Sequence, residues 1–325
     1  MKKIVLLVLL VFTIFSCDKK SKVEQAVEEI PMQMKLHRFE QAFFDAKPAE
    51  LSLVKAEYPD FFPEGTPDEV WIEKMQNPLW REMYQEVEKK YRNFNSEQTE
   101  IEELFKHIKY YFPTVKTPEI YTAIGEMDYN AKAIYSNDKL VIALEMFLGK
   151  DHRFYKGVEI PEYITQHFEP RQMMPEIASS FAFGVIPVQN DGTFLSQMIY
   201  YGKELYLKDV LLGDSYTDAE KIAYTPEQIA WSKDNESYIW EYFVANQLLY
   251  STNSKLPSQF LNLAPYSKFY LEIDNESPGR IGRWIGWQIV RSYMENNDKV
   301  TLQDMIKTDA KQIFENSKYK PKRNE

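Results

Sequence analysis

Glu119-Ile120-Tyr121-Thr122-Ala123-Ile124-Gly125, followed by Ala131-Lys132-Ala133-Ile134-Tyr135 and Lys139-Leu140-Val141-Ile142-Ala143-Leu144, is the part of the chain that decides the fold. The first stretch alternates in strand fashion. The other two read as strands joined by the turn Ser136-Asn137-Asp138. Val141 to Leu144 is an unbroken apolar run, as expected of a buried strand. Outward from this small sheet the pattern is helical. Residues 34–44 read as a short strand passing into a helix, and residues 48–58, 68–76 and 78–91 as helices. The clearest helix carries the stripe Ile101, Leu104, Phe105, Ile108, Tyr111 and Phe112 and stops at Pro113. Beyond the sheet, residues 161–167, 170–183, 192–212, 217–222, 226–250, 257–262 and 279–295 read as helices. No fixed-period repeat and no Gly/Ser-rich linker is present. The expectation is an α+β fold: a predominantly helical single globular body, residues 34–315, with a small sheet, and a frayed polar tail, residues 316–325.

Charge and composition exclude several classes. The 325 residues carry 39 Lys+Arg against 49 Asp+Glu, a formal net charge of −10. That balance lacks the basic footprint of a nucleic-acid binder, so no nucleic-acid partner is expected. One Cys and four His leave no disulfide framework and no Cys-rich zinc site.

The lone Cys stands at a junction. Met1-Lys2-Lys3 is positively charged, and Ile4 to Phe15 is apolar apart from Thr13. This run is shorter than the roughly 20 residues a membrane-spanning helix needs, and it fits the hydrophobic region of a secretory signal. Ser16-Cys17 then resembles a bacterial lipobox. Residues 1–16 are expected to be removed and Cys17 to be lipidated, which anchors the chain in a membrane. The other reading is an ordinary secretory signal with an incidental Cys. Residues 17–33 read as a polar tether.

No G-x-G-x-x-G, P-loop, G-x-S-x-G or C-x-x-C occurs. His37, His107, His152 and His167 include no i, i+4 pair for zinc, and each reads as structural or exposed. His107 reads as solvated, opposite the apolar stripe of its helix. His152 reads as a loop residue. His167 ends a short helix, where positive charge suits the macrodipole. Gly282 and Gly286, one turn apart, read as a smooth face for close helix packing. Arg280 and Arg283 beside them read as surface charge or internal ion pairs, with an anion site as the other reading. Asn190-Asp191-Gly192 reads as a turn rather than a calcium loop. Tyr200-Tyr201, Tyr110-Tyr111 and Trp284/Trp287 read as core and interface packing rather than stacking platforms for sugars.

Beyond the Ser16-Cys17 junction, three segments carry a resemblance: Lys139-Leu140-Val141-Ile142-Ala143-Leu144-Glu145-Met146-Phe147-Leu148-Gly149, Met198-Ile199-Tyr200-Tyr201-Gly202-Lys203, and Pro278-Gly279-Arg280-Ile281-Gly282-Arg283-Trp284-Ile285-Gly286. On these, from signal to tail, the chain resembles the GldB family of gliding-motility-associated lipoproteins of the Bacteroidota. The resemblance implies a role in gliding and in the associated type IX secretion system. It also implies two kinds of partner, the membrane through Cys17 and other proteins of that machinery. In gliding bacteria and their relatives an acidic run after the lipidated Cys often accompanies surface export. Cys17-Asp18-Lys19-Lys20 lacks one, which favours an outer-membrane anchor facing the periplasm.

The order strand, strand, loop, helix, helix is also similar to that of gluzincin-like metallopeptidases. There one helix carries H-E-x-x-H and a later helix supplies a Glu ligand before a Gly. This likeness puts Glu176 of Pro175-Glu176-Ile177-Ala178-Ser179 at the general base. It puts Pro175 and Ser179 where the two His would stand, and Tyr201, before Gly202, where the Glu ligand would stand. With those ligands lost, no metal and no cofactor is expected, and the architecture implied is a zincin-like scaffold without peptidase chemistry. The function expected is therefore that of a non-enzymatic, membrane-anchored lipoprotein. Two alternatives stand beside it. One is an envelope hydrolase, either a residual peptidase or a glycan-acting enzyme with Glu126/Asp128 and Glu145 as paired carboxylates. The other is a ligand-binding lipoprotein using its aromatic residues.

Overall fold

The computed structural model describes residues 21–189, 191–272 and 274–321. Four strands form one sheet: β1 Leu36–Arg38, β2 Glu119–Ala123, β3 Ala133–Ser136 and β4 Lys139–Ala143, in the order β1-β2-β4-β3. β1 and β4 run parallel to β2, and β3 is antiparallel to β4. Asn137 and Asp138 both adopt positive φ, 51° and 61°, as a two-residue hairpin turn requires. Ile120, Leu140 and Ile142 are fully buried, so the alternation read from the sequence is the sheet's inner face.

The helix Met173–Val185 packs between β3 and the long helix Phe194–Leu212. Thr193 caps the long helix by accepting from Ser196 N–H, while Asp191 accepts from Thr193 N–H and from Ser196 Oγ. Residues 191–193 are thus a capping turn. The helix Ile281–Asn296 crosses Phe194–Leu212 with the two backbones in contact. A Cβ on Gly286 would fall 1.9 Å from Met198 O, and one on Gly202 2.3 Å from Gly286 O. The smooth face read at Gly286 exists, and its counterpart is Gly202. Trp284 and Trp287 are buried beside the crossing, their Nε1 groups donating to Glu236 and Asp209.

Four expectations need correction. The segment read as a tether contains a helix, Lys22–Glu28, capped by Ser21 and docked on the helix Asn95–Tyr111 through a fully buried Val27. That helix covers His107, which is only 8% exposed rather than solvated and lies 3.7 Å from Glu24 Oε2. The tail is held as far as Tyr319: Ser317 is buried, and the Tyr319 hydroxyl donates to Glu236. The helix expected over 226–250 breaks at Asn235 into Pro226–Asp234 and Glu236–Ala245. Cys17 and the signal lie outside the described residues. Among the described residues no helix is long and apolar enough to cross a membrane.

Candidate functional site

A cavity of about 250 Å³ opens where the β2–β3 connection, the two helices Met173–Val185 and Phe194–Leu212, and the start of Ile281–Asn296 converge. Helical spacing supplies its floor. Glu176 and Ser179 stand three apart on one helix, Glu204 and Lys208 four apart on the next, so each pair shares a face. Lys132 reaches in from the sheet side.

Each carboxylate of the floor meets an ammonium. Lys132 Nζ lies 3.2 Å from Glu176 Oε1, and Lys208 Nζ lies 2.7 Å from Glu204 Oε1. Ser179 Oγ lies 2.7 Å from Glu204 Oε1 and 3.0 Å from Pro175 O. Its one proton is therefore committed within the floor. His167 Nδ1 is 3.8 Å from Glu176 Oε1, and its Nε2 has no hydrogen-bond partner.

The electrostatics follow from this geometry. Burial acts to raise the Glu176 pKa, but the Lys132 ammonium, with His167 beside it, outweighs burial and holds the carboxyl well below the usual range. Burial, helped by the charge of Arg280, pushes His167 down to about 3. Its ring is neutral at pH 7, so the helix-end cation expected at this position is corrected. Burial and the neighbouring Arg283 lower Arg280 to about 10, which leaves it charged at neutral pH.

Of the residues singled out by the metallopeptidase likeness, Glu176 and Ser179 reach the cavity. Pro175 is buried in the helix and offers no donor. Tyr201 is absent from the cavity lining. It lies beneath the Arg283 guanidinium, 3.8 Å from ring centroid to Cζ, and edge-on to Phe183. The acid facing Ser179 is Glu204, which the sequence reading passed over. The available signal was an acid and a lysine four residues apart within an otherwise apolar helix face. The proposed carboxylate pair of a hydrolase is split: Glu145 is 1% exposed and accepts from Gly125 N–H, whereas the Glu126 side chain is 82% exposed. Asp128 accepts from Asn130 N–H and shapes a turn. His37 stacks on Tyr121 in the sheet, and His152 accepts from Phe154 N–H at the start of a short helix.

The floor does not fit a zinc ion. Proline has no ligand atom, Ser179 is a neutral hydroxyl, and both carboxylates already hold a lysine ammonium where a metal's charge would be. Among the described residues no group of three or more His, Cys, Asp or Glu is placed to bind a metal.

The site is thus a charge-filled cleft in a helical α+β body. Residues 20–321 match the model of the family described as gliding motility protein GldB, and the chain belongs to that family. Its function is accordingly that of an envelope-associated lipoprotein in gliding motility and the type IX secretion linked to it. No curated protein and no solved structure matches the chain.

Proposed function

We propose that this protein is a non-catalytic scaffold of the gliding and secretion machinery: a zincin-like body in which ion pairs occupy the metallopeptidase positions. The observation that supports this most is the pair of ammoniums, Lys132 on Glu176 and Lys208 on Glu204. A general base works best with a pKa near the operating pH. Glu176 is displaced in the opposite direction. A water without a metal keeps a pKa near 15.7 rather than about 7, so the nucleophile of a zinc peptidase has no source here. On this reading Pro175, Glu176 and Ser179 are vestigial positions, and Glu204 takes the place first given to Tyr201.

The body then extends from Ser21 to Tyr319 and is anchored through lipidated Cys17 to the outer membrane, facing the periplasm. Other proteins of the gliding and secretion machinery bind it there. In a deletion strain, Glu176→Gln is expected to restore colony spreading and secretion, because a scaffold does not need the proton acceptor. A folded, abundant Glu176→Gln protein that fails to restore them would overturn the scaffold reading, as would about one zinc per chain in elemental analysis. The anchor is tested with labelled palmitate, whose incorporation into Cys17→Ala would remove the lipobox from the account.

A further inference from the structure

Arg280, the residue before the helix Ile281–Asn296, and Arg283, in its first turn, line the same cavity. Arg280 is 8% exposed, and its Nη2 donates only to the backbone carbonyls of Ile222 and Ala223. Arg283 Nε donates to the carbonyl of Leu261. Among the described residues neither guanidinium is paired with a carboxylate, while the two lysines of the floor are. His167 is neutral. The cavity lining therefore holds four cations, Lys132, Lys208, Arg280 and Arg283, against two carboxylates, Glu176 and Glu204. A buried cation left without a counter-charge is unfavourable.

Two further observations point to a ligand. The His167 ring is 5% exposed, lines the cavity, and leaves Nε2 without a partner. Arg280 also sits at φ 64°, a backbone conformation that favours glycine. A long cationic side chain is thus kept where a glycine would be easier to place.

We propose that this cavity binds a phosphate dianion, with Arg280 and Arg283 as its two forks and His167 Nε2 accepting from a hydroxyl of the group attached to it. Arg280 precedes the helix and Arg283 lies in its first turn, and both line the one cavity. Two guanidinium forks there suit the oxygens of one tetrahedral centre. A monocarboxylate would leave one charge unmatched. About 250 Å³ holds the phosphate with a small organic group attached. The ligand is thus a phosphomonoester, whether a soluble metabolite or the headgroup of a lipid. The inference goes beyond the scaffold reading and does not depend on it, since a non-catalytic protein can bind a phosphate or lack one.

The test is calorimetric titration of the full-length lipoprotein in detergent at constant ionic strength. The probes are inorganic phosphate, glycerol phosphate, dihexanoyl phosphatidic acid and, as a dicarboxylate control, succinate. Saturable one-to-one binding of inorganic phosphate is expected, weakened about tenfold or more in Arg283→Gln, a loss of at least about 1.4 kcal/mol. Arg283→Lys, which keeps the charge but loses the fork, should fall between the two and serves if Arg283→Gln does not fold. Tighter binding of glycerol phosphate assigns a soluble ligand, and tighter binding of the phosphatidic acid assigns a headgroup. Non-saturable binding, equal affinity in wild type and both variants, or tighter binding of succinate than of phosphate would overturn the proposal.

Discussion

Arg291 and Arg280 belong to the two ends of one helical segment and show opposite ways of burying a guanidinium. Arg291 donates from Nε and Nη2 to the two oxygens of Asp209, at 2.8 Å each, and from Nη2 to Asp218 at 2.7 Å. It also lies 3.7 Å over the ring of Trp287, whose own N–H shares Asp209. Burial opposes its charge, but the two aspartates outweigh it and hold its pKa above the usual arginine value. Arg280 has carbonyls and a like-charged neighbour instead. One end of the segment is electrostatically complete, so its arginine is architectural. The other is complete only when something is added.

Four experiments bear on this contrast. Acid should have the largest effect, and it acts on the cavity end. The buried His167 has its pKa depressed to about 3 against an ordinary 6.5, so between those values the unfolded chain binds more protons than the folded one. Its contribution is present above pH 6.5 and lost as pH falls toward 3, on the order of 4 kcal/mol in all. The low pKa of Glu176 adds loss of the same sign. Urea titrations across this range should show His167→Gln with a much flatter acid limb than wild type.

Next, Arg291→Met should destabilise by about 3 kcal/mol, the low end for breaking a buried pair because the partners retain some exposure. Arg280→Met should cost only about 1 kcal/mol in the same assay, since it strands carbonyls while removing an unmatched charge. If the two arginine variants lose equal stability, the contrast between the ends disappears.

The smallest effect lies away from both ends and has the opposite sign. Burial raises Glu145 to about 7, so its contribution is present below about pH 4.5 and lost as pH rises through 7. Glu145→Gln should therefore gain stability relative to wild type between pH 5 and pH 8, read from thermal midpoints at the two pH values.

What the sequence made legible was whatever depends on near neighbours. The strands at 119–144, the helix stripe ending at Pro113 and the smooth face at Gly286 all follow from local period and side-chain size. Glu176 and Ser179 were singled out by the likeness to metallopeptidases. Lys132, Glu204 and Lys208 did not, because their partners lie on other elements and only packing brings them together. His107 was misjudged for a related reason. Its own helix pattern pointed it outward, and the cover comes from Lys22–Glu28, far away in sequence. His167 was read as a helix-end residue where positive charge suits the macrodipole, because burial is a tertiary property.

The docked helix Lys22–Glu28 has a mechanical consequence. Only three residues separate Cys17 from the capping Ser21, four steps along the chain and a reach of at most about 14 Å even when fully drawn out. A body lipidated at Cys17 would therefore ride close against its membrane, with little freedom to swing. Any drag between membrane and machine would enter the protein at Val27, through the seam where that helix lies on Asn95–Tyr111. With such an anchor, that seam would be the shackle, and its grip would set how hard the anchor could be pulled before the body peeled away.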